Sequence, residues 1–379
     1  MGNQILVIGN GFDLAINAKT SYGSFFESKF FQTKRDKAFR WIDLCGPKGM
    51  SRSCNLMDFE DVNCWELLFC LESKGCLNTE KKIKWCDVER VLYKSLTNTN
   101  NDSFSWELVR QNLYNRFKNI RYQAGDPIDR RWLDLVNCDK SITIVAEFLF
   151  QRGEWEAYCV EKTLFYEKLL VELNMFEDSF GVYIKQETKD DRYRNDAWDL
   201  VERLLGTRVD VQIDSFNYSD FSNTSTWIRH INGGSDAPIF GIDLSKEEEE
   251  KFPELRRFTK TSRRLHQDFA NLNRSTVRSK LTVDKAVVFG HSLNRMDYDY
   301  FFYLFTTLRF HTFDLERMGS LQFVYKNYDP TRIEKIRNGY ADSVEYLLSY
   351  YENSIGRFHD HILINLLRFS GKLTFRELN

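Results

Sequence analysis

Gln4-Ile5-Leu6-Val7-Ile8-Gly9-Asn10-Gly11-Phe12-Asp13 decides the fold. Four consecutive aliphatics, Ile5 to Ile8, read as a strand buried on both faces, and the two glycines after them allow a tight turn that no side chain obstructs. A helix is expected to begin near Phe12. In an open α/β sheet such a turn brings backbone N–H groups to a ligand phosphate, so Gly9, Asn10, Gly11 and Phe12 are candidate nucleotide contacts. The dinucleotide fingerprint is incomplete, because Leu14 stands where its third glycine would be, and no second strand ending in an acidic residue follows closely. This argues against an ordinary dehydrogenase. Asp13 would repel a phosphate, so it is expected to cap the helix or to accept a hydrogen bond from a ribose hydroxyl.

With 379 residues, 42% of them hydrophobic, the chain is long enough for one large or two medium domains with a real core. A net charge of −2 provides no general attraction to nucleic acid or to an acidic membrane surface. All eight cysteines fall between Cys45 and Cys159 and none forms a Cys-x-x-Cys pair, which speaks against a zinc ribbon. The N-terminal apolar run is too short for a secretory signal, Leu6 replaces the Ser or Thr of a myristoylation signal, and no run of apolar residues is long enough to span a bilayer. The expectation is a cytoplasmic protein with reduced thiols.

Thr20-Ser21-Tyr22 is a helix start with Phe25 and Phe26 on the buried side. From there to about residue 200 the spacing is helical and aromatic, as in Trp65-Glu66-Leu67-Leu68, Trp106-Glu107-Leu108-Val109 and Leu164 to Leu173. Strand-like patterns return at Val209 to Phe216, Thr226 to Ile231, Pro238 to Ile242, Lys285 to Phe289 and Leu321 to Tyr325. Between them, a helix places Leu255, Phe258, Leu265, Phe269 and Leu272 on one face and Arg256, Arg257, Lys260, Arg263 and Arg264 on a wet face. The reading is an α/β, Rossmann-like parallel sheet formed by residues 1–30 and 205–330, a large helical insertion at 31–204, and a helical C-terminus at 331–379.

Ligands of such sheets bind beyond the carboxyl ends of the strands. The residues there are Gly9 to Asp13, Ser215-Phe216-Asn217-Tyr218, His230-Ile231-Asn232-Gly233, and Gly290-His291-Ser292-Leu293 with Asp297. Small, amide, hydroxyl and imidazole groups recur, a set suited to phosphates and sugar hydroxyls without a metal. Taken singly, Asn217 reads equally as a turn former and His230 as a hydrogen-bonded core histidine. Asp87 and Glu89 read as a salt-bridged helix face, and His359-Asp360-His361 lacks the further ligands a metal needs. Ser292 lacks the second glycine of a nucleophile elbow.

The chain resembles the AbiH family of bacterial phage abortive-infection proteins. The resemblance rests on Ile8-Gly9-Asn10-Gly11-Phe12-Asp13-Leu14-Ala15 with Thr20-Ser21-Tyr22, on Trp85-Cys86-Asp87-Val88-Glu89, on Ser215-Phe216-Asn217-Tyr218, on Phe240-Gly241-Ile242-Asp243, and on Phe289-Gly290-His291-Ser292-Leu293 with Asp297 and Tyr300-Phe301. It implies phage defence. Where members tend to carry His-x-His-Gly, this chain has His230-Ile231-Asn232-Gly233, with Asn232 in place of the second imidazole. The order of motifs is also similar to that of sirtuin-like NAD-consuming domains. That likeness implies NAD as ligand or substrate, with Gly9 and Gly11 at the pyrophosphate, Asn217 at the nicotinamide ribose, Gly290, His291, Ser292 and Asp297 toward the adenosine, and the catalytic histidine at His230 or at the position of Asn232.

Two functions from different classes follow. One is an NAD glycohydrolase, and the other is a catalytically silent nucleotide-binding sensor whose helical insertion engages a phage or host protein. A nuclease ranks lowest, for want of a basic stripe and a carboxylate metal motif. A homo-oligomer is left open.

Overall fold

The computed structural model describes residues 3–44, 59–73, 88–97, 144–145, 148–149, 152, 162–206, 211–222, 228–270, 283–312, 314–327, 331, 333–356 and 362–378. Asp87, the segment around Trp106, Thr226 and His359 to His361 lie outside the described residues. The chain divides into two compact units, one comprising Met1–Thr20, Ile184–Pro238 and Gln267–Asn379, the other Ser21–Tyr183 and Ile239–His266.

The first unit carries a six-stranded, all-parallel sheet of β1 (Gln4–Ile8), β2 (Val211–Ser215), β3 (Ile228–His230), β4 (Lys285–Phe289), β5 (Ser320–Tyr325) and β6 (Leu373–Glu377), in the order β3-β2-β1-β4-β5-β6. β1 is the central strand, flanked by both β2 and β4. Gln4 lies opposite Val211 on one side and Lys285 on the other. The order reverses between β1 and β4, which makes the carboxyl ends of these two strands the topological switch point of a doubly wound sheet.

Alternation along β1 explains its unbroken apolar run. Ile5 and Val7 enter a core with Val288, Phe323 and the helices Tyr298–Thr307 and Ile333–Ser354. Leu6 and Ile8 enter another with Ile213, Phe289 and the helix Asp191–Leu205. That helix is capped by the Asp190 side chain at its start and by Gly206 in the left-handed conformation at its end, and it buries Tyr193, Ala197, Leu200, Val201 and Leu204 at spacings of three and four.

The sheet differs from the sequence reading in two places. Pro238 to Ile242 is no strand: only Ile242 makes an isolated bridge, to Thr259. β6 was not expected within a C-terminal region that is otherwise helical. Paired along one edge alone, it buries little beyond Leu373, so its apolar pattern is faint, and Gly371 at φ +69° ends the preceding helix Ile362–Phe369.

The second unit is helical and aromatic among its described residues. Ser21 caps the helix Tyr22–Glu27, and Phe25 and Phe26 are buried, as their pattern predicts. They pack edge-on and stacked with Phe31, Phe176 and Phe180. The basic face expected at 256–264 is only partly wet. Lys260 is buried and pairs with Glu89 at 2.9 Å, and Arg263 pairs with Glu177 at 2.6 Å, whereas Leu265, expected in the core, is 58% exposed. Ion pairs with Glu89 and the buried Glu177 thus take up two of the basic side chains expected on the wet face.

Candidate functional site

The two loops of the switch point lock onto each other through their backbones. Gly9 N–H donates to the Phe289 carbonyl at 3.1 Å, Gly11 N–H to the Gly290 carbonyl at 2.8 Å, and Phe12 N–H to the Gly9 carbonyl at 2.8 Å. A Cβ on Gly11 would lie 2.6 Å from Gly290 Cα, and one on Gly9 would lie 2.7 Å from His291 Cα. Gly290, at φ +70°, would place a Cβ 2.5 Å from Phe12 N. The glycines are therefore required by one another, and three of the amides expected to cradle a phosphate already have acceptors in the protein. Phe12 is a core anchor, stacked on Phe221 at 5.3 Å and edge-on to Phe289 at 6.4 Å, while Asn10 is exposed.

Asp13 does not cap the helix that holds it. Gly9 is the N-cap, and no side-chain cap is formed. The carboxylate is instead buried, with Oδ2 accepting hydrogen bonds from Thr20 Oγ1 and Ser219 Oγ, each at 2.7 Å, and Oδ1 accepting one from the Tyr193 hydroxyl at 3.0 Å. Burial pushes the Asp13 carboxyl above its usual range, and the hydrogen bonds from Thr20, Ser219 and Tyr193, with a contribution from Asn217, offset part of that. Burial and the Asp13 charge likewise raise the Tyr193 hydroxyl.

Beyond the ends of β2 and β3, Asn217 and His230 meet. His230 Nδ1 is 3.1 Å from the Asn217 carbonyl, and its Nε2 is 3.8 Å from Asp220 Oδ1. The nearby His230 ring is the main cause that holds the half-exposed Asp220 carboxyl down at about 2. Asn217 itself is buried, and its Nδ2 has no hydrogen-bond partner. Asn232 is buried in the turn after β3.

On the far side of the switch point His291 is held fast. Its Nδ1 accepts from Leu293 N–H at 2.9 Å, so a neutral ring carries its proton on Nε2, which lies 3.4 Å from Asp297 Oδ2. The ring packs edge-on to Phe216 at 4.2 Å. His291 and Asp297 thus brace the loop, and Ser292 between them is exposed.

One polar cluster escaped the sequence reading. Asp214, fully buried on β2, accepts from Gln212 Nε2 at 2.9 Å, from Arg229 Nε at 2.9 Å and from the Tyr300 hydroxyl at 2.6 Å, and it forms a further ion-pair contact with Arg229 NH2. The available signal was Gln212-x-Asp214, a polar alternation inside an interior strand. Glu89, weighed as part of an acidic pair, is taken up by Lys260. Among the described residues no cluster of His, Cys, Asp or Glu could hold a metal ion, and no helix is long and apolar enough to cross a membrane.

Strand order and switch-point loops define a doubly wound, Rossmann-like α/β protein. The family model for bacteriophage abortive infection AbiH matches residues 5–315, from β1 to just before β5. The chain belongs to the AbiH family, and this membership indicates a role in phage abortive infection. No curated protein and no solved structure matches the chain.

Proposed function

We propose that this AbiH protein acts in the cytoplasm on a nucleotide held at the carboxyl edge of its sheet, NAD or a close relative, and cleaves the nicotinamide–ribose bond. The observation that carries this reading is the setting of His230. A carbonyl oxygen only accepts, so the bond to Asn217 O puts the proton on Nδ1 and leaves Nε2 as a proton acceptor. Asp220, 3.8 Å from Nε2, is placed to stabilise the imidazolium formed when Nε2 takes a proton. Water loses that proton as its oxygen bonds to the ribose anomeric carbon, and the C–N bond breaks with its electron pair leaving on nicotinamide. Asn217 Nδ2, buried without a partner, is suited to a ribose oxygen. Asn10 and Ser292, both exposed, remain for the rest of the nucleotide, since the Gly9, Gly11 and Phe12 amides are taken.

The test is nicotinamide release from NAD by the purified protein, with and without extract of infected cells. His230→Ala is expected to lower release by on the order of a hundredfold to ten-thousandfold while NAD binding survives. A wild type that is folded, binds NAD and never releases nicotinamide sinks the hydrolytic reading. It would leave a silent sensor triggered through a phage or host protein, a reading favoured by the occupied glycine amides and by Asn232 where the family tends to carry histidine. In that case His230→Ala weakens NAD binding by no more than about tenfold.

A further inference from the structure

We propose that Gln267 is a positioning residue for His230, acting through the turn 233–237 that lies against the imidazole. The inference rests on the reading of His230 as the proton acceptor, and Gln267 belongs to none of the sequence motifs.

A neutral imidazole carries one N–H and can offer it to one acceptor. His230 lies between two. Its Nδ1 is 3.1 Å from the Asn217 carbonyl, a hydrogen bond, whereas its Nε2 is 3.8 Å from Asp220 Oδ1, beyond hydrogen-bond reach. A tilt of the ring that closes this second gap would offer the proton to a carboxylate, the stronger acceptor, and the tautomer with the proton on Nε2 has no acceptor left for the reaction. The turn limits that tilt. A Cβ on Gly234 would lie 3.3 Å from His230 Cδ2, 3.4 Å from Cγ and 3.6 Å from Nε2. Nearly equal distances to these adjoining ring atoms place the point over the face of the imidazole rather than beyond its edge. The turn is therefore a wall along one face, so close that a single methyl group would press on the ring. The wall has its own fastening. Ala237 N–H donates to the Gly234 carbonyl at 3.0 Å, which closes the turn, and the Ala237 carbonyl accepts from Gln267 Nε2 at 2.9 Å. Gly233, at φ +75°, packs against that same carbonyl, because a Cβ there would run into its oxygen. Asp236 of the turn also pairs with Lys185 at 2.7 Å, but both side chains are exposed, and such a pair holds little. Without the Gln267 donor the Ala237 carbonyl is released, the wall loosens, and the ring gains the freedom to turn its proton toward Asp220.

The experiment uses the full chain labelled with ¹⁵N-histidine, with the His230 ring nitrogens assigned by their loss in His230→Ala. Their chemical shifts report which nitrogen carries the proton, and the wild type is expected to carry it on Nδ1. Gln267→Ala should move the proton in part to Nε2, and so should Gln267→Glu, which keeps the length of the side chain but replaces the donor with an acceptor. Gly234→Ala, which sets a methyl group against the ring, should disturb the tautomer as well, and Lys185→Ala should change it less than Gln267→Ala does. Gln267 is only partly buried, so its replacement leaves the fold intact even where Gly234→Ala does not. Adding Asp220→Ala to Gln267→Ala removes the competing acceptor and should return the proton to Nδ1, which a general loosening of the fold would not do. Nicotinamide release supplies the second arm. Gln267→Ala is expected to lower kcat by up to about tenfold with KM unchanged, since fewer rings are able to accept a proton. A His230 tautomer that is the same in Gln267→Ala as in the wild type, or a loss confined to KM, overturns the inference. A wild type that never releases nicotinamide counts against the hydrolytic reading alone, and the ring nitrogens still decide the role of Gln267.

Discussion

Two buried aspartates lie on opposite faces of the same sheet, and they are satisfied in different ways. Asp214 faces the core of Phe216 and Tyr300 and is neutralised by Arg229, whose guanidinium also lies over the rings of Tyr300 and Tyr303 at 5.9 and 5.3 Å. Asp13 faces the core of Phe12 and Tyr193 and is held by three hydroxyls, with no cation among its hydrogen-bond donors. A charge with a counter-ion is a closed structural unit. A charge held by hydroxyls alone keeps an appetite for further donors, and this one lies at the switch point next to Asn217. The comparison separates a buried carboxylate with a counter-ion from one held by hydroxyls.

Breaking the first cluster should have the largest effect. Asp214→Ala strands Arg229, whose side chain is 14% exposed, and is expected to cost about 3–5 kcal/mol in urea unfolding. A loss within the ordinary range for a surface substitution would show that Arg229 reaches water freely and would remove the contrast. Asp13→Asn should cost less, about 1–3 kcal/mol near neutral pH, because an amide keeps one acceptor and the hydroxyls can reorient. Equal losses at the two positions would mean that the counter-ion is irrelevant.

The smallest effect is the pH dependence of that second difference. Burial raises the Asp13 carboxyl in the folded state, so its contribution to stability is fully present below the unfolded carboxylate value of about 3.9 and is lost as pH rises through the higher folded value. The advantage of the wild type over Asp13→Asn should therefore narrow as pH rises from about 4. Unfolding curves at a series of pH values check this. A gap that widens with pH would place the folded value below the unfolded one and break the account of Asp13.

Much of this sheet was legible in the chain. Lys285–Phe289 and the core of β1 were readable because interior parallel strands are apolar without interruption, and that signal is local. β6 was hidden because an edge strand needs little burial to pair. The polar residues at the strand ends were legible as a list, and Asn217 and His230 do come together, but that the Gly9 and Gly11 amides bond the Phe289 and Gly290 carbonyls could not be read from the sequence.

The sequence by itself determined the class of fold, the family, the central strand and the strand ends where polar residues gather, because each is carried by short-range pattern and composition. Only the tertiary structure decided the state of each polar group: that Asp13 is a hub for Thr20, Tyr193 and Ser219, that Asp214 is paired with Arg229 fifteen positions away, and that Asn217 Nδ2 is left without an acceptor. The physical reason is that a hydrogen bond depends on distances of a few tenths of an ångström between groups up to 206 positions apart in the chain, which no local pattern encodes.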